Sequence, residues 1–154
     1  MSVHRRRPTR LFALTGTAAL LTTGVVVATP AHAASLPFTD CGTNTPAHVT
    51  KIDVTPSPLK PGRNVTISLT GSLTEKVTGG TYDANVTYLG APLLHTSGNL
   101  ADVVRLPLPA GPFALHKKVK VPKQTPSGKY NLTLTAADQN NGQLLCVRVP
   151  FEVA

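Results

Sequence analysis

The chain has 154 residues, with fifteen Lys and Arg against seven Asp and Glu, a net charge of +8. Four of the arginines lie in the first ten residues, and the rest of the chain carries only eleven basic against seven acidic residues, net +4. That excludes the dense basic face of a nucleic-acid binder, and the scatter of Pro, Gly, Thr and Val with no cluster of helix formers excludes a helical bundle.

The chain opens on an address. His4, Arg5, Arg6, Arg7 and Arg10 are followed by an apolar, small-residue run from Leu11 to about Ala28, then by Ala31-His32-Ala33. A basic region, an apolar region and an A-x-A site make a secretory signal, cleaved to leave Ala34 first. A membrane anchor is the competing reading, but the run contains Gly16 and ends at Pro30. The Arg pair hints at twin-arginine export, although Pro8 and Thr9 spoil its usual sequel. Residues 34–154, about 120, suffice for one domain with one core. Cys41 and Cys146 remain. In an exported chain an even count most simply forms a disulfide, two separate buried thiols being the alternative.

The alternation of apolar and polar residues writes strands in order. His48 to Thr55 is the first, stopped by Pro56-Ser57-Pro58. Asn64 to Ser72 is the second, with Val65, Ile67 and Leu69 on one face. Gly79-Gly80 turns into the third, Thr81 to Leu89, where Tyr82, Ala84, Val86 and Tyr88 share a face. Residues 89–115 show no clear period, and a short fourth strand is expected within 100–106. The fifth covers about 115–121, with Val119 and Val121 inward and Lys118 and Lys120 outward. Two more strands, pairing Tyr130, Leu132 and Leu134 with Val147, Val149 and Phe151, form a hairpin turned at Asn141-Gly142, where both residues tolerate positive φ. Seven short-linked antiparallel strands predict an all-β sandwich or barrel.

Taken together, Cys41, K-I-D-V-T-P-S-P, P-G-R-N-V-T-I-S-L, T-Y-D-A-N-V-T-Y-L-G, V-K-V-P, T-P-S-G-K-Y and the closing D-x-x-N-G-x-x-L-C-V-R-V-P-F-E-V resemble the ML lipid-recognition family. That family includes the soluble Niemann-Pick type C sterol carrier, fungal phosphatidylglycerol/phosphatidylinositol transfer proteins and group 2 mite allergens. The resemblance runs collinearly from Cys41 to Val153. It implies an immunoglobulin-like β-sandwich with an apolar cavity between the sheets, and it matches Cys41–Cys146 to the family's disulfide. The chain departs from the family in having Gly111 where a further cysteine is usual and in lacking tryptophan.

The rows Val65, Ile67, Leu69, Tyr82, Ala84, Val86, Tyr88, Val119, Val121, Tyr130, Leu132, Leu134, Val147, Val149 and Phe151 would fill an ordinary dry core as readily as line a cavity. The resemblance implies the cavity, with Leu93, Leu94, Pro122 and Pro126 at its rim. Lys117, Lys118, Lys120 and Lys123 form a basic stretch that faces an anionic membrane or simply guards a strand edge. The three N-x-T sequons at Asn64, Asn85 and Asn131 arise from strand alternation. His48, His95 and His116 have no metal-ligand spacing, and no nucleophile or phosphate-binding motif is present. The reading is a secreted, monomeric, non-enzymatic protein without cofactor or metal, which holds a sterol, fatty acid or phospholipid and touches anionic membranes transiently. The alternative is an extracellular immunoglobulin-like interaction module with a filled core, binding protein or glycan through its loops.

Overall fold

The structure, a computed structural model, describes residues 32–154. The expected export signal falls on residues 1–33 and so lies almost wholly outside them.

Among the described residues nine strands follow in order: β1 Ala34–Ser35, β2 Thr39–Asp40, β3 Ala47–Thr55, β4 Asn64–Leu73, β5 Gly80–Tyr88, β6 Ala91–Asn99, β7 Gly111–Lys120, β8 Gly128–Asp138 and β9 Gln143–Val153. They form two antiparallel sheets, ordered β1-β3-β4-β7 and β2-β9-β8-β5-β6. The expected sandwich is therefore present, with two-residue β1 and β2 added. Every long strand carries the period-two pattern where both its faces meet different surroundings.

One expected strand is absent. Residues 100–106 begin instead with a single 3-10 turn, Leu100–Asp102, whose Asp102 carboxylate accepts the Asn99 amide at 3.2 Å. The strand in that region is β6, earlier, within the stretch that lacked a period. Its positions Ala91 to Ser97 are all exposed. An edge strand wet on both faces is under no alternating constraint, and so none is written. Strand β7 also starts earlier than expected, at Gly111.

Two turns explain the local chemistry. At Asn141 φ is +62°, and the Asp138 carboxylate accepts the amides of Asn140 and Gly142 at 2.7 and 2.9 Å, closing the β8–β9 hairpin. At the β5–β6 hairpin the two loop residues, Leu89 and Gly90, have φ of +51° and +81°. Positive φ at both loop residues matches the twist of the strands, but glycine or asparagine usually occupies the first.

The core runs the length of the sandwich in three layers. Val54, Val65, Tyr130 and Val153 fill one end, Ile52, Leu69, Val147 and Val149 the middle, and Ala47, Leu73, Val77, Leu100 and Leu144 the other end. Tyr88, Tyr130 and Phe151 stack across three neighbouring strands, with ring centroids 4.7 and 5.3 Å apart.

Candidate lipid site between the sheets

The two margins of the sandwich differ. On one, residues 34–41 cross from the first sheet to the second: β1 pairs with β3, Leu36 donates to the Ile52 carbonyl at 2.8 Å, and β2 pairs with β9. Cys41 then forms the expected disulfide with Cys146, across 105 residues of chain, and its amide donates to the Cys146 carbonyl at 2.9 Å. Behind this seam Ile52, Val54, Val147 and Val149 are no more than 3% exposed.

On the other margin the edge strands β6 and β7 face each other. Leu94 lies opposite Val86, and Val119 opposite Val65, both on inner rows. Yet Leu94 is 55% and Val119 41% exposed. Inner-row side chains standing in water mean that this margin is open.

The fifteen residues expected to line a pocket all fall on the inner rows or, for Val121, directly beside them. Val65, Leu69, Tyr130, Val147 and Val149 are buried, Val119 is exposed, and the other nine are half-buried. Most of them pack at one end and in the middle, whereas Tyr82 packs at the other end with Leu73, Val77 and Leu100. A small, partly open apolar void lies at that other end. It measures about 50 Å³, its surface is wholly apolar, and Leu69 alone of the fifteen touches it. Its walls come chiefly from Leu73, Leu100, Val104, Leu108, Phe113 and Leu144. Leu100, Val104 and Leu108 belong to the irregular segment after β6, where no periodicity marked them for the core.

The expected rim is exposed and close to the tyrosine stack. Pro122 and Pro126 flank the β7–β8 loop, and Leu93 is the bulged residue of β6. Tyr130 donates its hydroxyl to the Pro126 carbonyl at 2.6 Å, and Tyr88 to that of Ser127 at 3.3 Å, so this loop and the β5–β6 tip share one end of the sandwich. Burial, and then the neighbouring Tyr88, raise the Tyr130 phenol above its ordinary pKa. Leu89, 84% exposed at the tip, is a residue that pattern reading missed. An apolar residue in a two-residue hairpin loop was the available signal.

The basic stretch divides. Lys118 and Lys120 pair with Thr66 and Asn64 on the outer row, and Lys123 lies exposed in the following loop. Lys117 pairs with Ile67, on the inner row.

A larger depression, about 620 Å³, crosses the outer face of the second sheet. Thr81, Asp83, Ser97, Asn99 and Thr135 line it, and Asp83 is held by His95 and by the Asn85 amide. Size alone would favour it, but it is shallow and its walls mix polar residues with Tyr82, Ala136 and Ala137, so an acyl chain lying there would stay partly in water and desolvate polar groups. Among the described residues no cluster of three or more His, Cys, Asp or Glu is spaced to hold a metal, and no helix is long and apolar enough to cross a membrane.

Two short sheets, one tied margin and one open margin over an apolar interior make a lipid-recognition sandwich. Residues 35–153 match the ML domain, and the chain belongs to that family. It is 37% identical over 114 residues to a Dictyostelium discoideum protein provisionally named a phosphatidylglycerol/phosphatidylinositol transfer protein, covering 71% of this chain and 79% of that one. It is 30% identical to the phosphatidylglycerol/phosphatidylinositol transfer protein of Mycosarcoma maydis, over 75% of this chain and 64% of that protein. Among solved structures, the fold resembles a Niemann-Pick type C2 protein from the Japanese carpenter ant, with a TM-score of 0.60, 16% identity, and coverage of 77% and 99% of the two chains. It also resembles the C-terminal domain of wzt, with a TM-score of 0.53, 12% identity, and coverage of 77% and 78%.

Proposed function

We propose that this protein is a secreted lipid carrier, which takes an acyl lipid or sterol between its sheets through the β6/β7 margin and exchanges it with anionic membranes. The observation that carries the reading is the pair of inner-row residues, Leu94 and Val119, left in water at that margin. The names of the relatives support phospholipid as cargo and transfer as the role. The leading arginines, the apolar run and the A-H-A site support export, as does the disulfide.

A ligand pocket spans about 300–1,000 Å³. The void of about 50 Å³ is far smaller, so uptake requires the sheets to part at the open margin. Each methylene that then leaves water contributes about 0.8 kcal/mol. No bond is made or broken, so no catalytic group is required. Leu89, Leu93 and Leu94 form an exposed apolar tip, and Lys120 at the end of β7 and Lys123 in the loop after it supply charge near the same end. Apolar insertion beside lysines suits an anionic bilayer surface, where each lysine adds about 1 kcal/mol.

The small void also favours a second reading, an interaction module with a filled core. Native mass spectrometry separates the two. The mature protein is incubated with phosphatidylglycerol vesicles, freed of them, and weighed. One lipid per chain is expected. No bound mass with phosphatidylglycerol, phosphatidylcholine, oleate or cholesterol would sink the carrier and leave the module.

A further inference from the structure

We infer that Lys117 is the head-group ligand of the cargo: an ammonium on the inner face of the open margin that selects acyl lipids with an anionic head. This rests on the carrier reading and names its ligand class.

Strand β7 pairs with β4 without a register break, Leu69 opposite Leu115, Ile67 opposite Lys117 and Val65 opposite Val119. Lys117 therefore shares the inner row with Leu115 and Val119, and Lys118 and Lys120 do not. Charged side chains are otherwise nearly absent from these rows. Asp138, the other one in phase, spends its carboxylate on the Asn140 and Gly142 amides. Lys117 has no such partner: among the described residues it makes no ion pair.

The level of Lys117 along the sandwich is also informative. Val65 and Val86 pack in one layer and Leu69 and Leu134 in the next. Ile67 and its partner Lys117 fall between them. Across the gap at this height, β6 presents Leu94 and Thr96, both exposed. A four-carbon stem rooted on an apolar row carries its ammonium to the solvent edge of that row. A lipid whose tail lies between the sheets and leaves by this margin brings its polar head to the same edge. Lys117 is exposed, and an anionic head at this edge gains a charge-assisted hydrogen bond from it.

An inward-pointing lysine on an edge strand also serves as a guard against edge-to-edge pairing. Lys118 and Lys120 already guard this edge, from its outer face. The guard needs no inner-row charge, whereas a head-group ligand does.

The test compares binding of dioleoyl phosphatidylglycerol with dioleoyl phosphatidylcholine, and of oleate with its methyl ester. Each is presented below its aggregation limit so that no bilayer is involved, and read by native mass spectrometry. Wild type, Lys117→Gln, Lys117→Arg and the outer-face control Lys118→Gln are compared, with sheet content checked by circular dichroism. Wild type should prefer the anionic member of at least one pair, which separates phosphate from carboxylate. Lys117→Gln should lower that preference about tenfold, the scale of one charged hydrogen bond. Lys117→Arg should restore it, and Lys118→Gln should leave it alone. An unchanged preference in Lys117→Gln, or an equal fall in Lys118→Gln, overturns the assignment while the carrier stands. So does a wild type that binds both members of each pair equally. Binding of none of the four lipids overturns the carrier reading and this inference with it.

Discussion

The two margins of this sandwich are built from similar residues and do opposite things. Ile52, Val54, Val147 and Val149 are sealed behind a crossing segment and a disulfide, whereas Leu94 and Val119 occupy equivalent inner rows and stand in water. The difference lies in what covers them rather than in how apolar they are. On the closed side residues 34–41 bridge both sheets. On the open side, among the described residues, no strand pairs with both β6 and β7, and residues 100–110 join the two only at one end. A sandwich tied along one seam can part along the other, as a lipid between the sheets demands.

The largest test of this asymmetry removes the tie. Replacing Cys41 and Cys146 with serine should cost roughly 4–5 kcal/mol in the loop-entropy account, for 105 residues of separation, read by urea unfolding. A loss under about 1 kcal/mol would mean that the crossing segment holds the seam without it. Next in size is a matched truncation. Ile52→Ala on the closed side should cost about 2–5 kcal/mol. Leu94→Ala on the open side should change stability by no more than about 0.5 kcal/mol. Equal costs would erase the distinction. Smaller again, and of opposite sign, is Leu89→Gly: it relieves a leucine at φ +51° and should stabilise by about 1 kcal/mol.

The smallest effects come from pH, and they separate the two regions. Asp53 is held below its ordinary 3.8 by hydrogen bonds from Lys51 and then from Ser35 of β1. Its folded pKa is depressed, so its contribution is present above 3.8 and lost as pH falls through the lowered value. Tyr130 is raised above 10.0, so its contribution is full below 10.0 and lost as pH rises through the raised value. Ser35→Ala should therefore shift the acid limb of a stability profile and leave the alkaline limb in place. Movement of both limbs would couple the β1 seam to the tyrosine stack.

Much of this was legible in the residues because burial imposes a period. The rows of β4, β5, β8 and β9 alternate since one face is dry, and Asn141-Gly142 announces its turn. Strand β6 was illegible for the converse reason: with both faces wet, A-P-L-L-H-T-S carries no rhythm. Leu100, Val104 and Leu108 reach the void from an irregular segment, where spacing has no meaning. Two-residue strands such as β1 and β2 are too short for any period to be seen. The inward phase of Lys117 was legible. Alternation in K-K-V-K places Lys118 and Lys120 outward, and one step back places Lys117 inward. Reading four neighbouring lysines as one patch hid it.

Leu89 bears on how this protein can be improved. Selection for heat resistance alone would replace it with glycine or asparagine, since either relaxes the left-handed backbone at the tip. If that leucine inserts into the bilayer, each variant gained in this way would be sturdier in the tube and slower at delivery. Thermal screening and transfer screening would then rank the same library in opposite order at this one position.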